Sequence, residues 1–205
     1  MTKAAVQNTT PPRRRNAAAT RAAILASARR AFAQSGYDGA GVREIAAGAG
    51  VTAMLVNRYF GSKERLFAEV LAATAASPTI LSRENLKKAN LSEAFATALV
   101  DITSTADTPL EGFLIMLRSA SSKRAAEIGR EQIEKGHQKT LTAALGGELT
   151  PQRAALILSL VAGFQVMRQM IGLSALAEAK PADLIKLLAP LLQQLVDGEP
   201  PRGDS

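Results

Sequence analysis

Between Gly41 and Lys63 the chain reads GVREIAAGAGVTAMLVNRYFGSK, and this stretch limits the possible folds more than any other. Val42, Ile45, Ala46 and Ala49 recur at the three-and-four spacing of one helix face. Gly48 and Gly50 close that helix, because either takes a left-handed cap conformation without steric cost. Thr52 has the chemistry of an N-cap. A second short helix follows over Ala53–Phe60, with Val56, Tyr59 and Phe60 turned inward. Two short helices joined by a glycine turn are the ingredients of a helix-turn-helix, and Ala46 supplies the small side chain where they must approach. Ala53, Met54, Leu55, Asn57 and Arg58 are left facing outward. Met54 and Leu55 do not suit a solvated face. They suit one that enters a groove of double-stranded DNA and touches bases or thymine methyls.

The flanks extend the pattern. Thr20 is placed to cap a first helix ending near Ser35-Gly36, with Ile24, Leu25, Ala28 and Phe32 as its buried stripe and Tyr37 closing the core after the turn. Ser62 caps a further helix with Leu66, Phe67, Val70 and Leu71 inward, ended by Pro78. With Thr20, Ile45-Ala46, Gly50-Val51-Thr52, Tyr59-Phe60, Gly61, Ser62-Lys63-Glu64 and Leu66 in this order, the segment resembles the DNA-binding domain of the tetracycline-repressor (TetR) family. The common family pattern has Gly, Thr, Leu, Tyr where this chain has Met54, Leu55, Val56, Asn57. Leu to Val is a core exchange. The other three departures fall on the outward face, so the operator sequence is not inherited from a relative.

The resemblance implies a DNA contact set that includes Arg43, with phosphates held by Thr52, Tyr59 and Lys63 and by the backbone N–H groups of Gly41 and Val42 at a helix start. Asn57 suits adenine and Arg58 suits guanine, which makes them the direct base readers. The resemblance also implies two heads on a pseudo-palindromic operator, with half-sites about one helical turn (~34 Å) or a multiple apart. In the family, the helix after Ser62 joins head to body, and its tilt sets the head spacing.

Charge agrees. The net charge is +7, and residues 1–70 hold eleven Lys/Arg against four Asp/Glu, while the remainder holds fourteen of each. A surplus confined to the helix-turn-helix segment is what phosphate contact requires. Cysteine is absent and His137 is the one histidine, which excludes disulfides, thiol nucleophiles and Cys/His zinc sites. No paired carboxylates, phosphate loop or metal cluster is present, so no catalytic residue, metal or cofactor is expected. Residues 1–37 lack acids, as a transit peptide does, but Arg21, Arg29 and Arg30 break any signal-peptide core. The apolar run Ala154–Phe164 ends at Gln165 and Arg168, short of a bilayer span. A soluble, cytoplasmic protein with no membrane partner is the expectation.

Four regions follow from these patterns. Residues 1–16 read as a disordered basic arm, with Arg13, Arg14 and Arg15 as candidates for minor-groove insertion. Residues 17–78 form the DNA-binding domain, 79–198 a helical ligand-binding and dimerisation domain, and 199–205 a disordered tail. The expected architecture is all-α, a three-helix head on a body of about six helices with a loose linker over residues 79–90. The body segments are Leu91–Thr103, Pro109–Ser121, Lys123–Leu145, Pro151–Gly172 and Pro181–Val196, with Gly129 and Gly136 predisposing the third to bend or break. The last two are apolar on so many sides that each needs more than one neighbour. A four-helix interface between two copies answers that need, drawn from Ile157, Leu160, Val161, Phe164, Leu184, Leu188, Leu191, Leu192 and Leu195, with Pro190 kinking the final helix in a packed setting.

The resemblance further implies an effector pocket. Phe95, Leu99, Phe113, Met116, Leu117, Phe164, Met167 and Met170 are the bulky or adaptable apolar residues available to line it, with His137 and Arg168 as polar partners. The leading expectation is a homodimeric repressor released from its operator by a small, largely apolar effector. The alternative is an architectural or partner-recruiting DNA-binding regulator without a small-molecule effector, which a solid body would favour.

Overall fold

The computed structural model describes residues 13–75, 80–104 and 111–198, and among them every regular element is helical. Helix α1 (Arg13–Gly39) begins ahead of the predicted cap Thr20, so the backbone of Arg13, Arg14 and Arg15 forms its first turn. The rest of the predicted arm, the predicted stop at Pro78, the predicted start at Pro109 and the tail lie outside the described residues. Helical geometry breaks at Gly36 (φ 66°, ψ −177°), where the sequence places the end of the helix.

Helices α2 (Val42–Gly48) and α3 (Ala53–Phe60) follow. Gly50, not Gly48, takes the left-handed conformation between them, at φ 66°. Gly48 is small for another reason, because a Cβ there would collide with the Ser27 hydroxyl of α1. That hydroxyl is buried and donates to the Ile45 carbonyl at 2.9 Å. The close approach is therefore between α2 and α1 at Gly48, while Ala46 sits in the core. Helix α4 (Lys63–Ala75) completes the head.

The body contains α5 (Leu91–Ser104), α6 (Glu111–Ser119), α7 (Lys123–Ile133), α8 (Lys139–Ala144), α9 (Thr150–Gln165), the short α10 (Ser174–Ala177) and α11 (Pro181–Asp197). The segment before α5 is less loose than predicted. The side-chain amide of Asn85 donates to the Ile80 carbonyl at 3.1 Å, and its backbone N–H donates to Ser82 Oγ at 3.1 Å. Wide, π-type turns continue α7 through Glu134–Gln138 into α8 and extend α9 over Val166–Met170. The first contains Gly136, as expected of a break; Gly129 stays in regular helix against Met116. In the second, Ile171 N–H reaches the Val166 carbonyl five residues back at 2.9 Å. The extra residue sets later side chains back by about 100°. The apolar face of α9 therefore stops at Phe164. Met167 and Ile171 turn out to solvent, and Arg168 turns in.

Two apolar cores result. One joins α1–α4 to Ile115 of α6 and to Ala125 and Ile128 of α7. The other joins α5, α8, α9 and α11 through Phe95, Leu99, Leu141, Ile157 and Leu192. Ile157, Leu184, Leu188 and Leu192, predicted at a surface between two copies, are buried inside the protomer. Leu160, Val161, Phe164 and Leu195 are half-buried, and Leu191 is exposed. Pro190 lies on the exposed side of α11, which continues through it.

Two buried arginines of α9 hold the ends of other helices, where carbonyls lack partners and favour cations. Arg153 donates to the Leu195 and Val196 carbonyls at the end of α11 (3.2 and 2.9 Å) and to the backbone carbonyls of Glu148 (2.9 Å) and Gly146. Arg168 donates to the Val100 carbonyl and Thr103 Oγ1 at the end of α5 (2.9 and 2.7 Å) and to the Leu176 carbonyl (3.1 Å).

Head and body meet where α1 runs against α6. The Arg118 carbonyl lies 2.6 Å from where a Gly36 Cβ would sit. Tyr37 N–H donates to Ser119 Oγ at 2.9 Å, Ser122 Oγ donates to Asp38 Oδ1 at 3.1 Å, and the Arg118 guanidinium donates to the Ala33 carbonyl. Gly36→Ala is expected to cost about 1–3 kcal/mol for an extended, positive-φ backbone that only glycine adopts without strain and about 1–3 kcal/mol more for overpacking. Gly50→Ala meets nothing within 4 Å and should carry only the backbone cost of its positive φ, about 1–2 kcal/mol. Urea unfolding midpoints of the two variants measure the difference.

Candidate nucleic-acid interface

Thr52 caps α3, its Oγ1 accepting from Leu55 N–H at 3.3 Å. Val56 and Phe60 are buried beneath. Met54 is 81% exposed, and Asn57 and Arg58 are exposed on the same side. The outward face is narrower than predicted. Ala53 is half-buried against the head core, and Leu55 is half-buried. Tyr59 also packs on the core while remaining partly open.

The start of α2 differs from expectation. Gly41 N–H donates to the Glu44 carboxylate at 3.4 Å, so a phosphate at this amide competes with an acid already there. Val42 is half-buried and Arg43 exposed. Lys63 is half-buried, its Nζ 4.6 Å from the centre of the Tyr37 ring, a cation–π contact. Tyr37 packs against Phe32 and Phe67 at centroid distances of 6.2 and 5.0 Å. Burial, then the neighbouring Glu64 carboxylate, pushes the Tyr37 hydroxyl above its ordinary pKa. Glu64 is held below the usual carboxylate range, chiefly by its hydrogen bond to Ser62.

The basic residues divide into two sets. Arg21 pairs with Glu69 and lies 4.9 Å from the Phe60 ring centre, and Arg29 pairs with Glu111 at 2.6 Å. Arg43, Arg58 and Lys63 pair with no carboxylate among the described residues. Arg30 on α1 and Arg83, Lys139 and Lys186 in the body likewise pair with no carboxylate among the described residues, so it is position on the helix-turn-helix that sets Arg43, Arg58 and Lys63 apart.

The predicted pocket residues do not converge. Phe95 and Leu99 are 0% exposed in the body core, and Phe164 packs against that core. The Arg168 guanidinium is taken up by the ends of α5 and α10. Phe113 is half-buried, while Leu117, Met167 and Met170 are exposed. Met116 lines a groove of about 330 Å³ with Ala125, Gly129, Arg130, Ile133 and Gln138. His137 is half-buried in the adjoining wide turn, and burial holds its imidazole below the ordinary pKa. Among the described residues no cluster of three metal-ligating side chains occurs, and no helix is long and apolar enough to cross a membrane.

These features define a helix-turn-helix protein whose second short helix, α3, exposes Met54, Asn57 and Arg58 from a head built onto a helical body. Residues 24–70 match the family model described as "Bacterial regulatory proteins, tetR family", and residues 89–196 match "Tetracyclin repressor-like, C-terminal domain". The chain belongs to the TetR family of DNA-binding transcriptional regulators. Its fold is similar to that of a TetR-family regulator from Streptomyces coelicolor, at 24% identity and TM-score 0.59, covering 91% of this chain and 99% of that chain. It is also similar to the multidrug binding protein EbrR complexed with malachite green (19%, TM-score 0.60, 86% and 97% covered). A third likeness is to the transcriptional regulator FadR from Bacillus subtilis in complex with stearoyl-CoA (19%, TM-score 0.61, 87% and 99% covered). No match was found among curated proteins.

Lys63→Ala is expected to weaken binding to all duplexes alike and to lower the salt slope by about one, as measured by fluorescence anisotropy across a salt series. Asn57→Ala and Arg58→Ala should instead relax sequence preference by about 1–3 kcal/mol per lost bidentate contact. His137 gives a pH effect. The fold favours the neutral ring, so the unfolded chain takes up the proton first and stability falls as the pH drops below about 6.5. His137→Gln should reduce that fall, read as the change in unfolding midpoint between about pH 7.5 and pH 5.5.

Proposed function

We propose that the protein acts as a homodimeric repressor that binds a pseudo-palindromic operator and is released from it by a small, largely apolar effector. One observation carries the effector part of this reading. The groove beside Met116 shares Ala125 and Gly129 with α7, and Ala125 belongs to the head core. A molecule seated there presses on residues of the head core; in this reading it weakens operator binding, and the operator weakens its binding by the same factor. The fold likenesses to EbrR with malachite green and FadR with stearoyl-CoA support ligands with large apolar parts. Phosphate contacts are assigned to Thr52, Tyr59, Lys63 and Arg43, and base contacts to Asn57 and Arg58.

Dimerisation is assigned to the outer faces of α9 and α11. Leu156, Leu187 and Leu191 are 55%, 68% and 50% exposed there, on helices whose opposite sides fill the body core. Covering the exposed half to two-thirds of each side chain supplies roughly 1–2 kcal/mol. The double variant Leu187→Glu/Leu191→Glu is expected to sediment as a monomer and to lose operator affinity. A dimer in sedimentation velocity would overturn the assignment.

A second reading, DNA binding without a small-molecule effector, is favoured by the sealed positions of Phe95 and Leu99. Titrating malachite green and stearoyl-CoA against the DNA-bound protein separates the two. Release of operator by either probe, lost in Met116→Trp, supports effector control. Binding to DNA that neither these nor a wider set of apolar compounds alters supports the second reading.

A further inference from the structure

We infer that Met54, Asn57 and Arg58 read one compact element of adjacent base pairs, in which Met54 packs against the C5-methyl group of a thymine. This rests on the assignment of α3 as the DNA-reading helix. Folding does not explain where Met54 sits. The apolar side chains that α3 needs for its core are Val56 and Phe60, which are buried, and Ala53, which packs partly on the same core. Met54 contributes nothing to that core and stands 81% exposed, the most exposed of the large apolar side chains described. It lies on the first turn of a helix whose start is fixed by the Thr52 cap.

The three residues fall at positions i, i+3 and i+4, on one stripe of the helix. At 1.5 Å per residue they span about 4.5–6 Å along the axis, one to two steps of a duplex with about 3.4 Å between base pairs. The chemistry of the stripe is graded. An unbranched thioether at its N-terminal end matches the one apolar group that base edges present in the major groove, the thymine methyl. An amide follows that suits adenine, then a guanidinium that suits guanine and has no carboxylate partner among the described residues. Ala53 and Leu55, drawn partly into the fold, do not extend the stripe sideways. The element therefore combines thymine, adenine and guanine, with the thymine at the end met by the start of α3.

Removing one methyl isolates this contact. Duplexes selected from a random-sequence pool with the full chain would be resynthesised with each thymine in turn replaced by deoxyuridine, and affinities measured by fluorescence anisotropy. One thymine per half-site is expected to lose about fourfold on replacement, the value of one buried methyl-sized group. Met54→Ala should lose a similar factor on the thymine duplex and become indifferent to deoxyuridine, while Met54→Leu should stay sensitive. Affinity unchanged by deoxyuridine at every position, or an undiminished penalty in Met54→Ala, overturns the inference while leaving α3 as the reading helix. A pool from which no duplex is enriched overturns the DNA-reading assignment itself.

Discussion

A missing Cβ at Gly36 lets the end of α1 lie against the backbone of α6, and the relation between head and body depends on that contact. Only a left-handed residue turns the chain there, and only a glycine leaves room for the Arg118 carbonyl. Once the turn is made, Tyr37 and Asp38 reach Ser119 and Ser122. Ile115, Ala125 and Ile128 then join the head core. The head is therefore not a module hung from α4. It shares α6 and the first half of α7 with the body through Ile115, Ala125 and Ile128, which pack in the head core.

Charge follows the same division of labour. On α1, Arg21 and Arg29 are paired with Glu69 and Glu111, which tie it to α4 and α6. These arginines serve the scaffold and offer little field to a phosphate. Arg43, Arg58 and Lys63 have no carboxylate partner among the described residues, and the Lys63 ammonium lies over the Tyr37 ring. A basic segment is thus basic for two reasons, which its composition alone does not separate.

The helix-turn-helix was legible because its determinants are local: a cap at Thr52, a glycine at Gly50 and an inward Val56 and Phe60 all reside within a few turns. The body was legible only as helices. Its final helix is apolar on several sides, so periodicity does not say which side meets its own core. The position of α5 decides that, burying Leu184, Leu188 and Leu192 and leaving Leu187 and Leu191 outside. The π-type turn after Gln165 defeats a fixed 3.6-residue period, so spacing does not show that Met167, expected in the pocket, faces solvent and that Arg168 turns inward to the ends of other helices. Nothing in spacing marks Arg153 as the group that closes the end of α11, because its acceptors lie some forty residues away in the chain.

That arginine bears on how two copies would come together. By gripping the Leu195 and Val196 carbonyls from within the same protomer, Arg153 stops the last turns of α11 from fraying. Gly198 makes this possible, since a side chain there would occupy the space of the guanidinium. A surface held rigid in advance loses little conformational freedom on association. In the proposed dimer a second copy would meet a finished template, and the angle between the two heads would be inherited from the monomer instead of being negotiated at contact.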